Sequence, residues 1–322
     1  MKRLVMKINE VKEILSQDNP NEEILEQLRN DERSGVQKLL ASFDKKQEKK
    51  LFYKKEYEKK SFYENKCYNK GCKYICGIDE VGRGPLAGPV VAAAVILKQG
   101  SYFEGLNDSK KLSEKKREEL FEKIKEEALA YAICEVSNEE IETYNIYNAA
   151  RIAMQRAVEQ LKVRPDFLLI DAMPFENYPI PNFSMVKGDE KSVSIAAASV
   201  IAKVYRDNLM KEYAKKYPYY DFENNAGYGT KKHLEGLKAY GITPIHRRDF
   251  EPVKSMIKQG GNNELDCSNY CRCDYRLDCR KSNEKRYGIT DEYRHRYYRF
   301  VPWPLAVRRH IGHRFGICRR QL

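Results

Sequence analysis

The sequence lacks several features that would place the protein in other classes. No uninterrupted apolar run approaches the roughly 20 residues that a membrane-spanning helix needs. The opening residues Met1–Ile8 turn polar too soon for a secretory signal. No internal repeat is visible, and the nine cysteines form no regular, even framework of the kind found in secreted disulfide-bonded proteins. We therefore expect a cytoplasmic protein with reduced thiols.

An excess of acidic charge is also absent. Lys and Arg together number 59 against 47 for Asp and Glu, which gives a formal net charge of +12. This balance suits a polyanionic partner such as nucleic acid, and a membrane surface would also attract it. At 322 residues, the chain can hold one large domain or two modest ones with an ample core.

Two adjacent carboxylates follow an apolar run near residue 79. The runs Tyr74–Ile78 and Val90–Leu97 flank a segment rich in Gly and Pro, which predicts two buried strands and a tight connection. Asp79 and Glu80 come directly after the first run. Neighbouring residues on a regular strand point to opposite faces, so we expect the strand to end before Glu80 if both acids serve one site. The alternative is a solvated strand end.

Two later apolar runs also lead to a carboxylate. Phe167–Ile170 is followed by Asp171, and Phe183–Val186 is followed closely by Asp189. Buried strands that alternate with helices predict an α/β fold whose ligands lie at strand ends. Asp189 could instead be the N-cap of the helix expected over about 191–215. Clustered carboxylates repel one another without a cation, and a set of oxygen ligands favours Mg²⁺ or Mn²⁺ over Zn²⁺.

The segment GIDEVGRGPLAGPV, from Gly77 to Val90, resembles the first motif of the type 2 ribonucleases H, the bacterial RNase HII family. Three further segments resemble family motifs: DSKKL at 108–112, NAGYGTKKH at 225–233 and IHRRDF at 245–250. The resemblance runs from residue 72 to about 255 in the expected order.

The resemblance implies an RNase H-like α/β domain with a mixed β-sheet flanked by helices. It also implies that the four acids are catalytic residues that bind Mn²⁺ or Mg²⁺. They are Asp79, Glu80, Asp171 and Asp189.

The same resemblance implies the substrate-binding residues. Backbone groups of Gly82, Arg83 and Gly84 would contact the ribose 2′-hydroxyl, which distinguishes RNA from DNA. Tyr228 would pack on the following deoxyribose, although without the resemblance it would be an ordinary loop aromatic. His246 with its two following arginines is expected to be structural or to contact phosphate, and not to be a catalytic base.

The implied activity is that of a metal-dependent endoribonuclease. Its substrates would be RNA–DNA hybrids and duplex DNA with single ribonucleotides, nicked on the 5′ side by a two-metal mechanism to leave 3′-hydroxyl and 5′-phosphate ends. The implied roles are ribonucleotide excision and primer removal in DNA replication, and we expect a monomer without a membrane partner. The alternatives are an inactive hybrid- or DNA-binding protein and another RNase H-like nuclease.

We predict three regions. Residues 1–70 form a basic helical extension of two or three helices without a rich core, which is either a solvated leader or a nucleic-acid-binding arm; it is similar to the extension of some Gram-positive RNase HII proteins. Residues 71–255 form the catalytic domain. Residues 256–322 form an Arg- and Cys-rich tail, predicted to be disordered or marginally folded.

The cysteines of the tail leave other interpretations open. Cys267, Cys271, Cys273 and Cys279 could bind zinc, but their spacing does not match the paired Cys-x2-Cys pattern of common zinc ribbons. The change from Lys-rich to Arg-rich sequence could also mark a shift of reading frame or a fused fragment.

Overall fold

The structure is a computed structural model that describes residues 6–17 and 20–259. Its last described element is a helix, α10, over Val253–Gln259, so the first residues of the predicted tail are helical. The rest of that tail, including its four candidate zinc cysteines, lies outside the described residues. The predicted boundaries at 70/71 and 255/256 stay predictions.

A five-stranded mixed sheet lies at the centre of the fold. Its strands are β1 (Ile75–Val81), β2 (Val90–Ile96), β3 (Ala130–Val136), β4 (Phe167–Asp171) and β5 (Asn182–Met185). In space the order is β3-β2-β1-β4-β5. The three strands β1, β2 and β3 pair antiparallel, whereas β4 is parallel to both β1 and β5. The predicted α/β architecture with a mixed sheet is confirmed.

Helices α6 (Asn138–Glu159) and α7 (Val193–Lys216) cover the two faces of this sheet. Helices α5 (Glu114–Glu127) and α8 (Phe222–Asn225) pack on α7, and α9 (Lys231–Tyr240) packs on the turn that precedes α8. On one face, small residues of α6 such as Ala150 and Ala153 pack against Cys76 and Ile78 of β1. Every residue of β2 is buried because helices lie above and below it. Among the described residues, no helix is long and apolar enough to cross a membrane.

Helix α7 lies against the other face of β1 at very short range. A Cβ atom placed on Gly77 would lie 2.0 Å from the backbone carbonyl carbon of Ser194, far inside any real contact. Only glycine therefore allows the first turn of α7 to approach β1 this closely. The approach brings the start of α7 beside the strand that carries Asp79.

The described residues of the extension form four helices where two or three were predicted: α1 (Ile8–Ser16), α2 (Glu22–Arg29), α3 (Ser34–Lys60) and α4 (Phe62–Tyr68). As expected, they form no rich core of their own, and α1 to α3 bury only a small apolar cluster. Its members are Val11, Leu15, Leu28, Val36, Leu40 and Phe43. Helix α4 instead packs on the sheet, where Cys67 contacts a cluster that includes Ile75 and Leu169.

Candidate active site

Asp79 and Glu80 both lie within β1, so the expectation that the strand ends before Glu80 is wrong. The strand pairs with β2 as far as Val81 but with β4 only as far as Ile78. Beyond Ile78 the β4 side of β1 is open, and the longer Glu80 side chain can share the site with its neighbour. One oxygen from each of Asp79, Glu80 and Asp171 lies within 4.8 Å of the other two.

Asp171 ends β4, and Asp189 lies in a short 3-10 turn over Gly188–Glu190. The Asp171 Oδ1 atom accepts a hydrogen bond from the backbone N–H of Gly188 at 2.7 Å, which ties this turn to the end of the strand. The alternative that Asp189 caps α7 is wrong, because Ser192 is the N-cap and accepts from the N–H of Ile195. Asp189 is buried, but it lies outside the group formed by Asp79, Glu80 and Asp171, whose oxygens lie within 4.8 Å of one another.

The carboxylates raise one another's pKa values. Burial, together with the charges of Glu80 and Asp171, raises the pKa of Asp79 well above its ordinary value, and Asp189 adds to this. Burial and the charge of Asp171 raise the pKa of Glu80 to about 7. Burial and the charges of Asp108 and Asp171 raise the pKa of Asp189 to about 6. Buried like charges without full compensation produce this pattern, and a bound cation relieves it.

Only partial counter-charge is present around the acids. The Nη1 atom of Arg83 lies 3.3 Å from Oε1 of Glu80, but half-exposed Arg83 is solvated. Burial would lower the pKa of Lys110, yet the charges of nearby acids, Asp108 and Asp189 foremost, raise it. The Oε2 atom of Glu80 is buried and has no hydrogen-bond partner among the described residues. An all-oxygen set with an unsatisfied buried oxygen fits a hard divalent cation.

Two buried arginines hold the loop that follows β1. Arg206 of α7 donates to the carbonyl oxygens of Pro89, Ala87 and Ala226. Burial lowers its pKa to about 10, so it stays charged. Arg206 was not predicted from the sequence, where its signal is an arginine that follows the small and apolar residues of the start of α7.

Arg247 holds the glycine-rich part of the same loop. Its guanidinium donates to the carbonyl oxygens of Gly82, Arg83 and Gly88. Burial, with the charge of Arg206, lowers its pKa to about 9. The prediction that this arginine is structural or contacts phosphate is resolved in favour of structure, because its side chain is buried and bound to carbonyls.

Gly82 and Gly84 differ in the space around them. Gly82 has φ +93°, and a Cβ there would lie 2.3 Å from Nε of Arg206. A Cβ on Gly84 would meet only Cε1 of Tyr228, at 3.4 Å. The predicted 2′-hydroxyl loop and the predicted sugar-packing tyrosine are therefore neighbours, and the Tyr228 side chain is 46% exposed.

A pair of histidines holds the backbone of Tyr228. His233 Nδ1 lies 2.9 Å from the Tyr228 carbonyl oxygen, and its Nε2 lies 3.0 Å from Nε2 of His246. The backbone N–H of Thr243 donates to Nδ1 of His246. One assignment of the protons on the two imidazole rings therefore satisfies all three hydrogen bonds. Burial and the charge of His233 lower the pKa of His246 to about 3, which keeps it neutral. His246 is structural, as expected.

The comparisons with known proteins agree with this geometry. The crystal structure of the ribonuclease H2 from Pyrococcus horikoshii is similar, with a TM-score of 0.52 and 26% identity over 59% of this chain and 100% of that chain. The fold and site therefore define an RNase H-like nuclease. A family model described as Ribonuclease HII matches residues 76–253, and one described as Ribonuclease HII N-terminal domain matches residues 7–68.

Curated relatives give the same result. The Ribonuclease HII of Lactobacillus delbrueckii subsp. bulgaricus is 53% identical over 254 residues, which cover 78% of this chain and 98% of the relative. That of Listeria monocytogenes is 53% identical over 248 residues, covering 77% and 95%. The chain belongs to the ribonuclease HII family. It is a metal-dependent endoribonuclease that acts on RNA–DNA hybrids.

Proposed function

We propose that this ribonuclease also nicks duplex DNA on the 5′ side of a single ribonucleotide, leaving 3′-hydroxyl and 5′-phosphate ends. The supporting observation is that one continuous segment, from Asp79 to Gly88, holds two of the four acids and the loop that lies beside Tyr228. A phosphodiester beside a ribose held at this loop would lie next to the acids. Ribonucleotide excision and primer removal during replication are the matching roles.

The acids Asp79, Glu80, Asp171 and Asp189 would hold two divalent ions, Mn²⁺ or Mg²⁺. Such ions lower the pKa of an attacking water and neutralise charge on the departing 3′ oxygen. The protein's part is to hold the acids in place. Asp171 is held by the Gly188 N–H, and Arg83 restrains one oxygen of Glu80.

The loop would recognise the ribose through its backbone. Arg247 binds the carbonyl oxygens of Gly82 and Arg83 from the inner side, which leaves the loop rigid before a substrate arrives. A rigid donor and acceptor pattern favours the 2′-hydroxyl without an ordering cost on binding. The exposed ring of Tyr228 would pack on the apolar face of the next deoxyribose, where an extra hydroxyl would be crowded.

A hybrid-binding protein without activity is the competing proposal, but it gives no reason for a buried carboxylate cluster whose members repel one another. Another RNase H-like nuclease would not need the Gly82–Gly84 loop beside Tyr228. We further propose a cytoplasmic monomer. A role of residues 1–70 in nucleic-acid binding stays an equal alternative to a purely solvated leader.

The test is cleavage of a DNA duplex that carries one internal ribonucleotide, with Mn²⁺ or Mg²⁺. We expect a nick on the 5′ side in the parent, lost in Asp79→Asn and Asp171→Asn. Glu176→Gln changes an exposed carboxylate elsewhere and is the control. Cleavage of long hybrids alone would contradict the junction activity, and an unaffected Asp79→Asn would contradict the assignment of the acids.

A further inference from the structure

The N-terminal helices contact the segment that carries Asp189 through a buried carboxylate. Glu64 of α4 is only 3% exposed. Its Oε1 atom accepts hydrogen bonds from the hydroxyl of Ser192 and, at 2.9 Å, from the backbone N–H of Ser194. Ser192 is the N-cap of α7 and lies three residues after Asp189. Glu64 therefore fixes the point at which α7 begins.

The turn between β5 and α7 is held at both ends by carboxylates. Asp171 accepts from the N–H of Gly188 at 2.7 Å, and the N–H of Ser192 donates to the carbonyl oxygen of Gly188 at 2.8 Å. Glu64 then holds the far end of the same turn through Ser192. Asp189 lies between these two anchors, so its carboxylate can move little unless one of them is released.

A buried cation from the same helical region reaches Asp189 from another side. Lys60, the last residue of α3, is 8% exposed and donates to Oδ1 of Asn107. The same oxygen accepts the N–H of Asp108 at 2.9 Å. The charge of Asp108 in turn acts on Asp189 and helps to raise its pKa. Lys60 thus holds, through Asn107, the residue whose charge acts on Asp189.

These contacts come from helices that are packed firmly on the domain. Cys67 of α4 lies in a buried cluster with Met185 and Ile195, which flank the turn on either side. On α3, the Tyr57 ring meets that of Tyr102 edge-on at 5.1 Å. At this point the helical region packs against the catalytic domain, beside the turn that bears Asp189.

We propose that Glu64 and Lys60 are positioning residues for Asp189, so that the helical extension completes the metal site of the catalytic domain. The inference rests on the proposed role of Asp189 as a metal ligand. Residues that orient a metal ligand through hydrogen bonds affect metal affinity although they never touch the ion.

The test measures Mn²⁺ binding to the full chain without substrate, from the electron paramagnetic resonance signal of free Mn²⁺. We expect Glu64→Leu and Lys60→Met each to weaken Mn²⁺ binding about tenfold. Glu64→Gln keeps the accepting oxygen and should restore most of the affinity. Lys59→Met removes the adjacent exposed lysine, which pairs only with Glu56 at the surface, and should bind Mn²⁺ like the parent.

A second arm separates this inference from the proposed function. Asp189→Asn alone should weaken Mn²⁺ binding, and adding Lys60→Met or Glu64→Leu to it should cause no further loss, because both act through Asp189. If Asp189→Asn leaves affinity unchanged, the role of Asp189 fails. If Asp189→Asn weakens binding while folded Glu64→Leu and Lys60→Met do not, the positioning role is overturned. Should Glu64→Leu fail to fold, Lys60→Met decides alone.

Discussion

The site contains two sets of charged side chains, the acids and a pair of buried arginines, which differ in how the protein satisfies them. The carboxylates of Asp79, Glu80 and Asp171 are crowded together. The pKa values of Asp79 and Glu80 are raised, and one oxygen of Glu80 has no hydrogen-bond partner among the described residues. The guanidinium groups of Arg206 and Arg247 are buried as deeply, yet their donors meet backbone carbonyls.

The difference separates two purposes of buried charge. The arginines are satisfied by the protein itself, so they contribute rigidity to the loop whether or not a ligand is present. The acids are only partly satisfied by the protein, because Arg83 and the Gly188 N–H each reach one oxygen and Oε2 of Glu80 has no partner among the described residues. The metal-free protein is therefore under electrostatic strain that a bound cation relieves. Removing one member of each group should therefore have opposite effects on stability.

The largest expected effect is on activity, in Asp79→Asn. Hydrolysis should fall on the order of 10³-fold or more, because several kcal/mol of charge stabilisation by the cations are lost. The metal-free variant should nevertheless be more stable than the parent by about 1 kcal/mol or more, since one repelling charge is gone. Urea unfolding in the presence of a chelator measures the free energy of unfolding of both proteins. A variant less stable than the parent would contradict the view that the acids repel one another in the metal-free protein.

Arg247→Met should have the opposite effect on stability. Loss of its hydrogen bonds leaves the carbonyl oxygens of Gly82 and Gly88 buried without donors, which should cost about 3–5 kcal/mol of unfolding free energy. The adjacent Arg248 is exposed, so Arg248→Met is a matched control that should change stability by less than about 0.5 kcal/mol. Equal losses in the two variants would show that the buried carbonyl contacts are not responsible.

The two groups should also differ in their response to pH. Glu80 has a folded-state pKa of about 7 and Asp189 of about 6, so the folded protein holds more protons than the unfolded chain between about pH 4 and 7. The contribution of these acids to metal-free stability should therefore fall as pH rises through that window, by roughly 1–3 kcal/mol.

The measurement is the difference in unfolding free energy between the parent and Glu80→Gln, at pH 5 and at pH 8 without metal. The variant should gain on the parent at the higher pH. His246, whose pKa is lowered to about 3, stays neutral in the folded protein over this range, and its contribution to unfolding is the same in parent and variant and cancels in the difference. If the difference in unfolding free energy is the same at pH 5 and at pH 8, the electrostatic strain does not come from Glu80.

The smallest effect concerns Tyr228. Because its side chain is 46% exposed, Tyr228→Ala should leave stability nearly unchanged. Loss of the aromatic face should reduce the preference for a ribonucleotide–DNA junction over a long hybrid roughly tenfold. Tyr240→Ala removes another exposed tyrosine, one stacked on Tyr219, and should leave that preference intact. Tyr228→Phe should behave like the parent.

Strand positions were largely predictable from sequence because apolar runs carry the signal directly. The apolar runs at 74–78 and 167–170 lead into β1 and β4, so Asp171 lies at a strand end as expected, whereas Asp79 lies within β1. The error at Glu80 arose because β1 continues for as long as its partner β2 pairs with it, to Val81, which is a property of another segment.

Residues that act through distant partners were not predictable. Arg206 binds carbonyls 117 and 119 residues away, and Glu64 holds a serine 128 residues further along the chain. In sequence, each is one charged residue on a helix, which solvation explains equally well. Only the packing of α4 and α7 against the sheet makes their burial, and so their role, visible.

The absence of a side chain at Gly77 sets a limit on the substitutions that the site tolerates. Its missing side chain sets how closely α7 lies on β1, and α7 begins just after the turn that bears Asp189. The distance between Asp79 and Asp189 therefore depends on Gly77, a residue without a side-chain functional group that lies two positions before Asp79. One added methyl group would push the helix outward and widen the spacing of the carboxylates. The close approach of α7 to the backbone of β1 therefore sets the dimensions of the metal site.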